Sequence, residues 1–287
     1  MGQRPQSRGF ARSGLLAVVV VVVTASVIAW LLLPFRTGHG PTTLTKDQAQ
    51  VKKIHQSLIV FSRELDGSYL LPSLIAEPIK DGTEDFSLNH TANLYSLMVM
   101  RHYVTPTILV SPTEPSSNIR VKDDYAFDAF EPTNGVHWDS SFVMHIDDHS
   151  IGANGSYAHA AVVGDRRASV WRDTMDGAMP VFGTRGVRNG VGPGHPDYDR
   201  SLTLEFFEPY RKWVGNICFA DNHTEILDTF FPEGLTFDDG SGAKPDNIFA
   251  AEFDHPNGNQ AAADAFLVIC TAATQYTVTD VYNPLED

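Results

Sequence analysis

From Leu15 to Leu33 the chain has no charged residue, and only Thr24 and Ser26 are polar. That run is close to the roughly 20 residues a helix needs to cross a hydrocarbon core. It is longer than the about 7–15 apolar residues of a cleaved secretory signal, and Trp30-Leu31-Leu32-Leu33-Pro34 is a poor cleavage site. The run therefore reads as an uncleaved anchor spanning 10–36, with 1–9 a basic leader and 37–44 a linker broken by Gly38, Gly40 and Pro41. Lipid compels the backbone to pair internally, so the segment is expected to be a helix despite its valines. Arg4, Arg8 and Arg12 precede it and only Arg36 follows closely, which keeps the N-terminus in the cytoplasm and the rest outside.

Beyond the linker the pattern changes to that of a folded domain, 45–287. Thr45 and Gln48 fit a capping box. Val51, Ile54, Leu58, Phe61 and Leu65 then recur three and four apart, one apolar stripe of an amphipathic helix stopped by Asp66-Gly67. Such a stripe predicts packing on a sheet. A second helix is predicted around Thr91 to Tyr103. Short strands are predicted at Thr107–Val110, at Leu202–Phe207 and at Ser141–Asp147, where Phe142, Met144 and Ile146 share one face. Trp213–Ala220 and Thr224–Phe231 flank Asp221-Asn222-His223 and read as a β-hairpin. Ala265–Thr279 is β-branched and reads as a final strand, while Gly183–Asp199 and Gly234–Pro245 read as loops. The class is α+β: a transmembrane helix, an amphipathic helix, then a mainly antiparallel sheet.

Composition narrows the function. All 35 acidic residues follow Thr43, whereas four of the 21 basic ones precede it, so the outer body is more acidic than the chain's net charge of −14. An anionic surface argues against nucleic acid as a partner and leaves the membrane to residues 15–33. With 43% hydrophobic residues the chain is no disordered tail. Cys218 and Cys270 both lie in apolar, strand-like runs. An exported domain could join them in a disulfide, but unpaired cysteine is also commonly buried, and both readings stand.

The N-terminal segment then resembles a known family. Arg8-Gly9-Phe10, the apolar run and Leu31-Leu32-Leu33-Pro34 look like the start of type IV prepilins and type II secretion pseudopilins. Further on, Thr107-Ile108-Leu109-Val110-Ser111-Pro112-Thr113-Glu114-Pro115, Gly155-Ser156-Tyr157-Ala158 and Asn216-Ile217-Cys218-Phe219-Ala220-Asp221-Asn222-His223 resemble, in order, three elements of pseudopilin-like proteins with a processing-associated C-terminal domain. The resemblance spans about residues 8 to 230. It implies a pilin-like fold, cleavage by prepilin peptidase between Gly9 and Phe10 with methylation of the new N-terminus, and pilin-like partners. Gly14 stands where the family carries a glutamate, and Asn222 where its hairpin carries a glycine. Asparagine tolerates positive φ better than most residues. The implied function is a single-pass, extracytoplasmic protein of structural, assembly or binding role, not an enzyme and without a cofactor.

The alternative is an anchored metal-dependent hydrolase or divalent-cation-binding domain. On a strand, His145, Asp147 and His149 would share a face suited to zinc, with Asp221 and His223, or Asp197 and Asp199, as further ligands. No HExxH-like spacing supports this, so solvated residues at a strand end are the simpler reading. Asp238-Asp239-Gly240-Ser241-Gly242 with Asp246 and Asn247 offers oxygen ligands for calcium, without EF-hand spacing. No serine-nucleophile elbow is present. Cys218 has no evident base beside it, and Trp138, Trp171 and Trp213 read as core.

Overall fold

The chain divides into two units, 1–38 and 39–287. A computed structural model describes residues 41–76, 84–146, 148–207, 211–252 and 264–280, all within the second unit. The apolar run 15–33, Gly9, Phe10, Asp147 and linker residues 37–40 lie outside the described residues. Among the described residues no helix is long and apolar enough to cross a membrane.

The second unit is α+β with antiparallel sheets. Its first helix, α1 (Pro41–Ser62), is followed by α2 (Pro72–Ala76) and α3 (Thr91–Met100). A two-stranded ladder pairs β1 (Met144–His145) with β2 (Gly152–Ala153). The main sheet contains β3 (Tyr157–Ala160), β4 (Pro180–Thr184), β5 (Gly215–Phe219), β6 (Thr224–Leu227) and β9 (Leu267–Val268). Its order is β6-β5-β4-β3-β9, with each neighbouring pair antiparallel. Two further hairpins pair β7 (Thr236–Asp238) with β8 (Ala243–Pro245), and β10 (Cys270–Ala273) with β11 (Val278–Asp280).

The apolar stripe of α1 is buried as its spacing predicts: Val51, Ile54, Leu58 and Phe61 all enter the core, and Leu65 packs at its margin. This face lies on β4, β5 and β6. α3 also reaches β3, where the Tyr95 hydroxyl donates to the Tyr157 carbonyl at 2.7 Å. Every residue of β3, β4 and β5 is buried, so the central strands are covered on both faces. Gly183 is required there: a Cβ would sit 2.3 Å from Ile217 Cδ1 and 3.0 Å from the Asn216 carbonyl of the adjacent strand. Trp171 and Trp213 are core, and Trp138 is half-buried against it.

Several sequence expectations are corrected. α1 begins at Pro41, so 41–44 is helix rather than linker, and Gln48 donates to the Thr224 carbonyl at 3.4 Å across the interface. Proline is accepted in a first helical turn because no N–H is needed there. Thr107–Val110 is no strand; Pro106–Leu109 is a 3₁₀ turn opened by its proline. Leu202–Glu205 is likewise 3₁₀, with Ser201 Oγ accepting from the Thr203 N–H at 3.3 Å. Within the described residues 141–146 of the expected strand Ser141–Asp147 only Met144–His145 pairs, although Phe142, Met144 and Ile146 are buried together. The expected final strand is divided: β9 joins the main sheet and β10 turns away to pair with β11. The second helix ends at Met100, before Tyr103, and its turn places His102 at φ 59°. The expected loop 234–245 holds the β7–β8 hairpin. The 213–231 hairpin forms as β5–β6, with Asn222 in its turn at φ 68°.

Candidate functional site

Two polar side chains interrupt the buried face of α1, and each organises a cluster. Asp47 lies one turn before Val51 and is 0% exposed. Its Oδ1 accepts from the Ser111 hydroxyl and from the Tyr157 hydroxyl at 2.7 Å. Its Oδ2 accepts from Asn216 Nδ2 at 2.6 Å and from Thr184 Oγ1 at 3.1 Å. Ser111 is tied in turn to Ser156, whose Oγ accepts the Ser111 N–H at 2.5 Å. Beside this cluster Arg185 pairs with Glu114 at 2.9 and 3.2 Å, both side chains being buried. Burial, and then the adjacent Asp47 charge, push the Tyr157 hydroxyl well above its ordinary pKa, which fixes it as a donor. Ser111 and Glu114, Ser156 and Tyr157, and Asn216 belong to the three downstream elements singled out in the sequence. One residue of each, Ser111, Tyr157 and Asn216, bonds the Asp47 carboxylate of α1.

Two turns further along α1, His55 is also fully buried. Its Nε2 accepts from the Tyr69 hydroxyl at 2.8 Å, and its Nδ1 lies 3.2 Å from Asn222 Oδ1. Because that amide oxygen can only accept, Nδ1 carries the hydrogen. Cys218 Sγ stands 3.5 Å from the same Nδ1. A cysteine, a histidine and an asparagine are thus grouped as in a thiol hydrolase, but the electronics are wrong. Burial pushes the thiol up to about 12 and the imidazole down to about 4. The nitrogen facing sulfur already holds a proton, so it cannot take the thiol's. The thiol is also sealed from solvent. This cluster is a structural pin for the hairpin turn. Cys218 and Cys270 are both free and buried, which corrects the disulfide alternative. Cys270 sits instead beside Thr91, whose hydroxyl accepts the Cys270 N–H at 2.8 Å.

The hairpin turn carries the accessible chemistry. Asp221 Oδ1 accepts from the His223 N–H at 3.0 Å and contacts its ring Nδ1 at 2.5 Å, while Glu225 lies 3.4 Å from Nε2. The ring stacks flat on Phe219, 4.5 Å between centroids. The other proposed ligands do not assemble with it. His145 is in β1 and half-buried, whereas His149 is exposed in the turn beyond, where Asp148 Oδ1 accepts the Ser150 N–H at 2.8 Å. The chain has already turned back, so the two histidines do not share a strand face. Asp197 and Asp199 lie on the short helix Pro196–Arg200, with Asp199 accepting the Gly194 N–H at 3.2 Å. In the β7–β8 turn, Asp238 accepts the Gly240 and Gly242 N–H groups and Asp239 pairs with Lys244 at 2.5 Å. Those carboxylates close a hairpin, and Asp246 is buried elsewhere. Among the described residues no three histidine, cysteine or acidic side chains are grouped to hold a metal ion.

Sequence reasoning passed over Asp47 and His55. Their signal was present: each occupies a stripe position, i−4 from Val51 and i+4 from it, where an apolar residue is expected. No protein family, curated protein or solved structure matches this chain.

Proposed function

We propose that the chain is a single-pass, pseudopilin-like envelope protein: residues 15–33 hold it in the cytoplasmic membrane, and 45–287 forms a non-enzymatic extracytoplasmic domain with a structural, assembly or binding role. The observation that carries this reading is the arrangement of α1. A 22-residue helix follows the apolar run and the short linker, lies on an antiparallel sheet, and gathers the downstream family-like elements on Asp47. A long helix covering an antiparallel sheet is the frame the N-terminal resemblance implies. Within this reading the Cys218–His55–Asn222 group, sealed from solvent and holding its thiol protonated, serves as structural support for the hairpin turn.

The test is fractionation followed by mass spectrometry of the intact protein. The expected result is leader-processed protein in carbonate-washed membranes, released by detergent, with Phe10 as a methylated N-terminus. Recovery as freely soluble protein would overturn the anchor, and a membrane-bound chain beginning at residue 1 or 2 would remove the peptidase step.

A further inference from the structure

A second buried aspartate, remote in sequence from α1, is satisfied quite differently. Asp246 follows β8 and is 1% exposed. Its Oδ2 accepts the Ala265 N–H at 2.8 Å, but its Oδ1 is buried and, among the described residues, meets no N–H or O–H donor. Among the described residues the charged groups around it are Glu252, Asp264 and, through Asp264, Arg166. Asp264 accepts the Glu252 N–H at 2.7 Å and pairs with Arg166; Glu252 accepts the Asn247 N–H at 2.8 Å. Two carboxyl groups can be bonded neighbours only if one of them carries a hydrogen. A buried acceptor without a donor is costly, and a proton on Asp246 removes that cost by turning Oδ1 into a donor.

We propose that Asp246 and Glu252 share one proton, and that this carboxyl–carboxylate contact is a pH-sensitive clasp closing the neck where Pro245–Asn247 meets Glu252 and Asp264–Ala265. The neck continues directly into β9, held by the Leu267 N–H on the Ile248 carbonyl at 2.7 Å and the Ala161 N–H on the Phe266 carbonyl at 2.9 Å. Ala250, Ala251, Phe266 and Arg166 line a cavity of about 500 Å³ beside it. Loosening the neck therefore loosens one wall of that cavity. Burial, then the Asp264 and Glu252 charges, raise the Asp246 carboxyl from 3.8 to about 7, against the Ala265 N–H that opposes them. An acid raised on folding stabilises the closed form fully below about pH 4, and loses that contribution as pH climbs towards about 7.

The test is hydrogen exchange of the full-length protein in detergent, followed by mass spectrometry of neck peptides (244–252 and 264–268) from pH 5 to pH 8 after correction for intrinsic rates. The neck should open about tenfold more often per pH unit between pH 5 and pH 6.5, then level off near pH 7. Asp246→Asn keeps a donor without a titration and should flatten the curve. Glu252→Gln supplies an amide donor to the Asp246 carboxylate and should move the levelling-off to lower pH; it serves as the measure if Asp246→Asn does not fold. Parallel curves for the wild type and either folded variant would overturn the proposal. Protection restored at pH 8 by millimolar calcium, and lost in EDTA, would also overturn it, because the neck would then be a cation site.

Discussion

Asp47 and Asp246 are both buried aspartates, yet they pose opposite electrostatic problems. Asp47 receives four side-chain donors from four stretches of chain and sits beside an Arg185–Glu114 pair. Asp246 receives one backbone N–H and faces two acidic neighbours. Burial alone therefore does not decide what a carboxylate does. The donor count does: a carboxylate given a full set of donors ties the fold together, and one left short of them takes a proton and becomes responsive to pH.

The hardest blow to that contrast is Asp47→Ala, which strips the partner from Ser111, Tyr157, Thr184 and Asn216 at once. Breaking a buried network from one side costs on the order of 3–5 kcal/mol, read as a lower denaturation midpoint. A loss under about 1 kcal/mol would show that the Asp47 cluster is not a determinant of stability. The next effect concerns acid. Burial lowers His55, His90 and His159 from 6.5 to about 4, with His145 adding to the effect on His90. The unfolded chain takes up protons below pH 6.5 that the native chain refuses, so stability falls as pH drops from 6.5 towards 4. His55→Gln should remove one of three such contributions, reducing the slope by up to about 1.4 kcal/mol per pH unit. An unchanged slope would mean that His55 is charged in the fold. For Asp246 the sign is reversed, and comparing Asp246→Asn with wild type at each pH cancels the histidines. The variant should gain relative stability as pH rises from about 4 to about 7 and no more above it. The smallest effect lies in the hairpin turn. Asn222→Ala and Asn222→Gly both remove the acceptor of the His55 Nδ1–H, but only glycine suits φ 68°. Alanine should be worse by about 1 kcal/mol, and equal losses would place the whole cost in the hydrogen bond.

How much of this was legible depended on burial. The α1 stripe was readable because the helix has one wet side, and the β5–β6 hairpin because the polar turn Asp221-Asn222-His223 separates two apolar runs. β3 and β4 gave no such mark. Tyr157–Ala160 and Pro180–Thr184 are buried on both faces, contain Ala158, Ala160 and Gly183, and one starts on proline. Thr107–Val110 and Leu202–Phe207 alternate well enough to suggest strands, but Pro106 and Ser201 open tight turns there, and local capping prevailed over propensity. The pins were hidden for a related reason. Asp47 and His55 look like ordinary solvated helix residues until the partners arrive from 14 to 169 positions away. The proton on Asp246 depends on Asp264 and Glu252 converging in space, which spacing along the chain does not disclose.

That separation has a consequence for synthesis. Asp47 leaves the ribosome early, whereas its donors follow at Ser111, Tyr157, Thr184 and finally Asn216. Until the last of these emerges, the nascent helix carries a carboxylate it cannot bury, and closure of the core must wait for about three-quarters of the polypeptide to be translated. Contacts this distant in sequence slow folding and leave apolar surface open meanwhile, so the growing chain should depend on chaperones until Asn216 is out.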